Sequence, residues 1–316
     1  MVEYIEDFRW SKGMTTKEFV EKLGKVGYQS IELKKSAEAM AKMKREGAKI
    51  FLTFTSNMVT SGLRGFFAQI IEKKFCDVCV TTVGGIEEDI MKADGEKFMI
   101  GSFHSDDYEN HEKGLNRVGN LLIDTQSYMK FEDKINAILK ELYAKKKVWT
   151  PSEMFREIGL ILNDENSILF QAAKNNVPIF CPAITDGSFG FHLYLFQQDH
   201  PDFMVDIIRD FKNIVLVTDF NEKKAVICLG GSISKHHAIL ATLLNGGAEY
   251  AVYMTTAKSS SGSLSGATTQ EAKSWGKIKD DSDAVTVYGD VSIIFPLAMC
   301  LTFEILEEEG LLGNEK

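Results

Sequence analysis

The chain has 316 residues, 44% of them hydrophobic and 26% charged, with a formal net charge of −9 at pH 7. This length can bury a substantial core, and the acidic balance argues against a nucleic-acid-binding protein, which would carry a basic stripe. The first residues, MVEYIEDFRW, lack the apolar run of a secretory signal, and the apolar stretches are too short to span a bilayer. Five cysteines without framework spacing indicate a reducing compartment. We therefore expect a cytoplasmic protein that binds no membrane and no nucleic acid.

Short β-rich runs alternate with helical stretches along the chain. The predicted strands span residues 49–54, 77–83, 177–183, 214–220, 225–231, 250–256 and 284–290. The predicted helices span residues 63–74, 132–146, 165–175 and 235–245. Near-continuous apolar strands that alternate with helices are typical of a parallel sheet with both faces covered. We therefore predict an α/β fold, built as one domain over residues 1–316 with a helical N-terminal extension over about residues 1–45.

Two further segments of the chain have a distinctive composition. Residues 101–120 predict an irregular excursion, and the Ser/Gly/Thr-rich segment 259–270 is long enough for a lid or a binding loop. Cys76 and Cys79 form a C-x-x-C in FCDVCVTTV, which alternates like a buried strand. Because no second Cys/His pair stands at metal spacing, we interpret them as core cysteines rather than a redox or metal site.

The segments that follow the predicted strands are small and polar, and most contain glycine. They are TSNMVTSG (55–62), TTVGGIEED (81–89), TDGSFG (185–190), LGGSISKHH (229–237), TTAKSSSG (255–262) and YGDVS (288–292). Ligands of an open parallel sheet bind beyond the carboxyl ends of its strands. Glycine lets backbone amides approach a phosphate, and a helix N terminus favours negative charge. The standard G-x-G-x-x-G is absent, but the six turns together predict a dinucleotide site.

Acids and histidines in these turns have two interpretations each. Glu87, Glu88 and Asp89 are expected to open a helix, where they stabilise its dipole or where one turns inward to hold a cation. We interpret His236 as a proton carrier with a pKa near neutrality rather than as a metal ligand, because the adjacent His237 points in another direction. The isolated histidines at 104, 111, 192 and 200 are expected at the surface or in loops.

Lys277 follows the longest polar loop, in EAKSWGKI. A lysine becomes a nucleophile only when it is neutral, which requires desolvation or nearby positive charge. Trp275 would supply a dry wall, and Gly276 removes a side chain that would block approach. The product of attack on a carbonyl or imine would be a Schiff base. From these residues alone, a catalytic lysine and a solvated loop lysine both remain open.

The same motifs closely resemble those of deoxyhypusine synthase. The resemblance is carried in order, from about residue 4 to 303, by TSNMVTSGLRG, TTVGGIEEDIMK, NRVGNLL, KFEDKINAIL, WTPSEM, PIFCPAITDGSFG, LGGSISKHH, GGAEYAVYMTTA, EAKSWGKI and VYGDVSIIFPL. It implies a Rossmann-like parallel sheet flanked by helices, and a homotetramer with NAD sites and active sites at subunit interfaces. The implied reaction oxidises spermidine with NAD, releases diaminopropane, and passes the aminobutyl group through an enzyme lysine imine. The implied acceptor is one lysine of the translation factor 5A precursor.

The resemblance also implies roles for individual residues. Lys277 matches the lysine that forms the imine, and His236 lies beside the reacting amine. The positions implied to bind NAD are Ser56, Asn57, Thr60, Thr82, Val83, Gly84, Glu88, Asp186, Gly231, Thr256, Ala257, Asp290 and Val291. The positions implied to line the polyamine pocket are Glu87, Glu88, His236, Gly262, Ser263, Glu271 and Trp275. Val83 and Val291 replace an alanine of the family, and no metal is implied.

Three positions depart from the family's polyamine pocket. Phe191 and Leu264 replace aspartates, and Leu240 replaces an asparagine. Loss of two carboxylates is expensive for a buried cation, since an unpaired buried charge is costly. Three alternatives are therefore kept: a deoxyhypusine synthase, which uses spermidine or another amine such as agmatine or putrescine; a homospermidine synthase-like homologue that transfers an aminoalkyl group to a small amine; and a non-catalytic NAD-binding partner subunit.

Overall fold

The computed structural model describes residues 3–312, and the chain divides into two compact units. The first unit contains the described residues up to Phe54, Lys73–Val80, and the described residues from Lys212 onward. The second unit contains Thr55–Glu72 and Thr81–Phe211. A single domain over the whole chain remains a prediction. Within the described part of the predicted N-terminal extension, helices span Thr16–Leu23 and Gln29–Arg45, while residues 3–15 are not helical.

The strands within residues 3–312 are β1 (Lys49–Phe54), β2 (Val78–Val80), β3 (Met99–Ile100), β4 (Leu115–Val118), β5 (Leu121–Asp124), β6 (Val148–Trp149), β7 (Ile179–Phe180), β8 (Met204–Val205), β9 (Lys224–Leu229), β10 (Ala248–Thr255) and β11 (Ile278–Tyr288). The α-helices are α1 (Thr16–Leu23), α2 (Gln29–Arg45), α3 (Ser56–Met58), α4 (Arg64–Glu72), α5 (Val83–Ala93), α6 (Asp107–Glu112), α7 (Thr125–Lys145), α8 (Pro151–Leu162), α9 (Ile168–Asn175), α10 (Ser188–Asp199), α11 (Ile207–Val215), α12 (Ser232–Leu244), α13 (Thr269–Ser274) and α14 (Val291–Glu308). A π-helical turn, Val59–Leu63, lies between α3 and α4, and 3₁₀ turns span Ser259–Ser261 and Leu264–Gly266.

The first unit is built on a parallel sheet in the order β11-β10-β9-β1-β2. Every residue of β9 is buried. Because successive side chains of a strand point to opposite faces, burial of all six residues means that both faces of the sheet are covered. Helices α2, α12 and α14 pack against the sheet. This mixed α/β architecture confirms the predicted parallel sheet flanked by helices.

The second unit is mainly helical. Helix α9 packs against α4 and α8, and α5 and α10 pack against each other and against α7. The predicted irregular excursion over residues 101–120 contains regular structure: α6 is followed by β4, which pairs with β5 in an antiparallel sheet of order β3-β5-β4. A separate parallel pair joins β6 and β8. None of the helices within residues 3–312 is long and apolar enough to cross a membrane.

Six of the seven strand predictions and all four helix predictions are confirmed, with shifted ends. Strand β7 is limited to two residues, and β11 begins earlier than predicted, directly after Lys277. The strand predicted over residues 214–220 is wrong, because its first residues end α11 and the rest form turns. Leu216 and Phe220 are exposed, and the side-chain amide of Asn245 fixes the turn by donating to the carbonyl oxygens of Val215 (2.6 Å) and Thr218 (2.9 Å).

The surface prediction for the isolated histidines holds for His104 and His111, which are exposed, but is wrong for His192. His192 is 4% exposed. It shares the inner face of α10 with Phe189, Leu193 and Phe196, which are spaced as one face of an amphipathic helix. Burial lowers the pKa of His192. At the end of α10, His200 is half-buried and its ring stacks on that of Phe196.

Candidate active site

Lys277 lies in the first unit between the end of α13 and the start of β11. Its backbone is held on both sides, because its N–H donates to the Ala272 carbonyl (3.1 Å) and its carbonyl accepts from the Ala248 N–H (3.0 Å). The residue is 8% exposed, so a solvated loop lysine does not describe it. Gly276 has a φ of 66°, a left-handed conformation that favours glycine. A Cβ there would make only an ordinary contact with Leu243, so backbone conformation explains this glycine better than access does.

A small cavity beside Lys277, with room for about one water molecule, brings two lysines together with aromatic and apolar side chains. It is lined by Lys235, Ile239, Tyr253, Leu264, Ala267, Glu271, Ala272, Trp275 and Lys277. The Lys277 Nζ atom lies 5.2 Å from the Trp275 ring centroid, within the range of a cation–π contact. Trp275 itself is 67% exposed, so its ring forms a wall with one side open to solvent.

Lys235 belongs to the SKHH motif, but the sequence did not indicate a role for it. The residue is 1% exposed on α12. Its Nζ atom donates to the carbonyl oxygens of Leu264 (3.0 Å) and Ala267 (2.8 Å) and lies 4.1 Å from the Tyr253 ring centroid. Burial lowers the pKa of Lys235, and the charge of Lys277 acts in the same direction. Lys235 therefore fixes the loop that lines the cavity.

His236 follows Lys235 on α12. His236 is exposed on the helix, yet partial desolvation and then the charge of Lys277 lower its pKa, so its imidazole is neutral at neutral pH. Burial likewise lowers the pKa of the neighbouring His237, to about 4. A neutral imidazole near a buried amine can accept a proton, which is the chemistry predicted for His236.

The loop over residues 258–267 is docked on the glycine turn after β9. The Ser265 hydroxyl accepts from the Ser232 N–H (2.9 Å) at the start of α12. A Cβ on Gly231 would lie 2.3 Å from the Ser265 Cβ, so only glycine permits this approach. Gly262 and Ser263, predicted to line the amine pocket, are exposed in this loop, and the Ser263 hydroxyl accepts from the Ser265 N–H (3.3 Å).

The remaining predicted residues of the first unit follow β10, begin α14 or lie in α13. Ala257 donates its N–H to the Thr255 hydroxyl (3.0 Å), while Thr256 is exposed. Asp290 caps α14 by accepting from the Ser292 N–H (2.9 Å), and Val291 is buried behind it. Glu271 lies in the first turn of α13 with its side chain at the cavity.

In the second unit, six of the predicted NAD residues lie in α3, in the π-helical turn and at the start of α5, and these elements pack against one another. These are Ser56, Asn57, Thr60, Thr82, Val83 and Gly84. Thr82 occupies the N-cap position, but its hydroxyl accepts from the Ser56 N–H (2.9 Å), and no side chain caps the helix. Asp186 is exposed in the turn before α10. An uncapped N terminus of an 11-residue helix beside hydroxyl groups fits a phosphate.

Because α5 begins at Val83, its three consecutive acids lie in the second turn of the helix. All three are buried. The interpretation that they open the helix is therefore wrong. Glu87 accepts from the Phe189 N–H (2.8 Å) at the start of α10. Asp89 pairs with Arg64 and accepts from the N–H groups at the start of α9, which makes it a structural anchor.

Glu88 has a different environment from its neighbours. Both of its carboxylate oxygens lie within hydrogen-bond distance of the Thr60 hydroxyl, at 2.8 and 2.7 Å. Burial raises the pKa of Glu88 to about 7, against the opposing effects of Thr60 and Lys92. Burial also raises the pKa of Glu87. Glu88 can therefore change protonation near neutral pH, which suits a residue that handles an amine.

The three departures from the family pattern lie in different surroundings. Leu264 lines the cavity beside Lys277. Leu240 is half-buried on α12. Phe191 is 55% exposed on α10, with its ring 5.6 Å from that of His192. Of the three, only Leu264 lines the same cavity as Lys277.

Cys76 precedes β2 and Cys79 lies within it; both are buried, and their sulfur atoms are 3.7 Å apart. The hydrogen bond from Cys76, together with burial, raises the pKa of Cys79, which keeps the thiol protonated. The interpretation as core cysteines is confirmed. Within residues 3–312, no group of three or more His, Cys, Asp or Glu side chains could hold a metal ion.

Comparison with known proteins gives a consistent result over most of the chain. The family model described as Deoxyhypusine synthase matches residues 18–302. A Schizosaccharomyces pombe protein named probable deoxyhypusine synthase is 40% identical over 92% of this chain and 88% of its own length. The deoxyhypusine synthase of Senecio vernalis is 42% identical over 83% of this chain and 72% of its own. A solved structure from Entamoeba histolytica that carries the same family name aligns with a TM-score of 0.70 at 29% identity, covering 95% and 97% of the two chains.

Proposed function

Because the chain belongs to the deoxyhypusine synthase family of transferases, we propose that it transfers the aminobutyl group of spermidine to one lysine of the translation factor 5A precursor, with NAD as cofactor. The observation that carries this proposal is Lys277, a lysine 8% exposed whose Nζ lies 5.2 Å from the Trp275 ring. This buried amine lies against an apolar ring and lines a cavity with a second lysine, Lys235, and a lysine nucleophile is placed to add to a carbon bound there.

The chemistry that NAD supplies when bound is acceptance of a hydride from the amine carbon and its return to the final imine. Ser56, Thr82 and Gly84 would hold its phosphates at the α5 N terminus, since hydroxyl and backbone N–H groups face that point. The family resemblance supports further cofactor contacts at Asn57, Thr60, Val83, Glu88, Asp186, Gly231, Thr256, Ala257, Asp290 and Val291. The resemblance also supports a homotetramer with active sites at subunit interfaces.

The group transfer itself uses the protein's own residues. His236, neutral at neutral pH, takes the proton of the reacting ammonium. The Lys277 amine then adds to the oxidised carbon, and diaminopropane leaves with its nitrogen, so that an aminobutyl imine remains on Lys277. The acceptor lysine displaces Lys277 from this imine and regenerates the free amine. Glu88 and Glu271 would pair with ammonium groups of the substrate.

A second candidate is favoured by Leu264, whose side chain lines the cavity beside Lys277 where the family has an aspartate. Its apolar side chain gives no pairing for an ammonium group. The chain would then use another donor, such as agmatine or putrescine, or transfer its group to a small amine as in homospermidine synthesis.

The test is transfer of isotope label from the butyl carbons of spermidine to the translation factor 5A precursor. We expect NAD-dependent label on one acceptor lysine, no label with Lys277→Arg, and full label with Lys258→Arg, which changes an exposed lysine of the loop. Label from agmatine or putrescine alone would favour the second candidate. Normal NAD binding without transfer from any amine would favour the alternative that the chain is a non-catalytic NAD-binding partner subunit.

A further inference from the structure

The π-helical turn Val59–Leu63 interrupts the helix between α3 and α4. Gly62 within it has a φ of 100°, a left-handed conformation. A π turn departs from the regular backbone ladder, and its carbonyl groups can accept from donors outside the helix. Lys92 of α5 is such a donor, because its Nζ atom lies 2.6 Å from the Val59 carbonyl oxygen and 3.4 Å from that of Thr60.

Lys92 is also placed beside Glu88. The two residues stand four apart on α5, so their side chains share one face of the helix. Lys92 is half-buried, and its Nζ atom lies 4.4 Å from the Phe98 ring centroid. Its ammonium therefore joins the π-helical turn to the face of α5 that carries Glu88.

The Thr60 hydroxyl has one proton and three acceptors within reach. These are the Ser56 carbonyl oxygen at 3.1 Å and the two Glu88 oxygens at 2.8 and 2.7 Å. When Glu88 is ionised, Thr60 donates to it. When Glu88 is protonated, the carboxyl donates to Thr60, which is then free to donate to Ser56. The proton on Glu88 therefore determines the direction of the Thr60 hydrogen bond.

We propose that Lys92 is a positioning residue for the Glu88–Thr60 pair: its ammonium holds the π-helical turn so that the Thr60 hydroxyl faces Glu88, and its charge favours the carboxylate. The inference rests on the proposed function only for the role of Glu88 in amine and cofactor binding.

The other charged or titratable groups near this pair come from three helices. Glu87 and Asp89 lie on α5, Arg64 begins α4, and Tyr128 lies on α7, where burial and the charges of Glu88 and Glu87 raise its pKa. Arg64 is committed to Asp89 and Asp164, which leaves Lys92 as the cation whose charge lowers the pKa of Glu88.

The test is a titration of the Glu88 carboxyl in the full chain without cofactor or amine, by carbon NMR of labelled glutamate, with Glu88→Gln to assign the signal. We expect Lys92→Met to raise the midpoint by about one pH unit, because an opposite charge is removed. Lys92→Arg, which keeps the charge, should stay within about a few tenths of a unit of the wild type. Lys97→Met, at an exposed lysine of the same segment, should leave the midpoint unchanged.

Hydrogen exchange supplies the second measurement. The amides of residues 59–63 should exchange faster in Lys92→Met and at the wild-type rate in Lys92→Arg. An unchanged midpoint in Lys92→Met, or unchanged exchange in the turn, overturns the proposal; Lys92→Gln replaces the methionine variant if that variant does not fold. Neither measurement involves turnover, so loss of the proposed function would not affect the outcome.

Discussion

The Nζ atom of Lys277 lies 5.2 Å from the centroid of the Trp275 ring, and the residue between them is a glycine in a left-handed conformation. The turn places an aromatic face against the amine, while the backbone of Lys277 is bonded to Ala272 and Ala248. The backbone of the lysine is therefore fixed, and its amine lies against an apolar surface.

Trp275→Ala should slow imine formation at Lys277 about tenfold, because water would enter where the ring now forms an apolar wall beside the amine, a loss of roughly 1.4 kcal/mol. Trp275→Phe keeps an aromatic face and should lose less. The single-turnover rate of borohydride-trapped product measures the effect. The tryptophan is 67% exposed, so the thermal midpoint should hardly change; a large drop in that midpoint would point to a structural role instead.

Lys235→Met should loosen the loop over residues 258–267. The substitution leaves the Leu264 and Ala267 carbonyl groups without their buried donor, which costs about 1–3 kcal/mol of the free energy of unfolding. Urea unfolding measures that loss, and limited proteolysis should show faster cleavage within the loop. Lys258→Met, at an exposed lysine of the same loop, should match the wild type in both. Equal cleavage rates in the two variants would refute the anchoring role.

Glu88→Gln should remove a pH dependence from stability. The pKa of Glu88 is about 7 in the folded chain against 4.5 for the ordinary group, so the folded state binds this proton more tightly. Its contribution to the free energy of unfolding therefore falls as pH rises from about 4.5 to about 7 and is level above that. Between pH 4.5 and pH 7 the free energy of unfolding of the wild type should fall by on the order of 3 kcal/mol relative to that of Glu88→Gln.

Denaturant unfolding from pH 4.5 to 8 measures this difference in the free energy of unfolding. Exposed Glu72→Gln should follow the wild type, and parallel curves for Glu88→Gln and wild type would contradict the raised pKa.

Leu264→Asp should improve the use of spermidine over amines with fewer charges. The new carboxylate would line the cavity that holds Lys277 and would pair with a substrate ammonium. We expect kcat/KM for spermidine to rise about tenfold, as one charged hydrogen bond supplies roughly 1.5–3 kcal/mol. Leu264→Asn introduces a side chain of the same shape as aspartate but without its charge, so kcat/KM for spermidine should rise less. Equal gains for both variants would show that polarity, and not charge, matters at this position.

Much of the fold and the outline of the site could be predicted from the sequence because both depend on local patterns. The buried strands β1, β9 and β10 are mostly apolar runs, and the glycine turn at Gly230 and Gly231 follows the end of β9 directly. The run over 214–220 has strand-like composition, yet its first residues end α11, and the contacts of Asn245 with the following turn come from a distant helix end.

The supporting residues could not be predicted in this way. Lys235 and Lys92 act through backbone carbonyl groups 29 to 33 residues away in the chain, and no local spacing encodes those contacts. The different hydrogen-bond partners of Glu87, Glu88 and Asp89 likewise depend on which element packs against each side chain. The sequence predicts which groups carry chemistry, and tertiary packing determines what holds them.

The most direct test of the account is the mass of the peptide that contains Lys277. The protein is incubated with NAD and, separately, spermidine, agmatine and putrescine, then treated with borohydride and digested. We predict an aminoalkyl adduct on Lys277 that requires NAD and is absent from Lys277→Arg, with the adduct mass reporting the donor. An unlabelled Lys277 with all three amines, in protein that binds NAD normally, would contradict it.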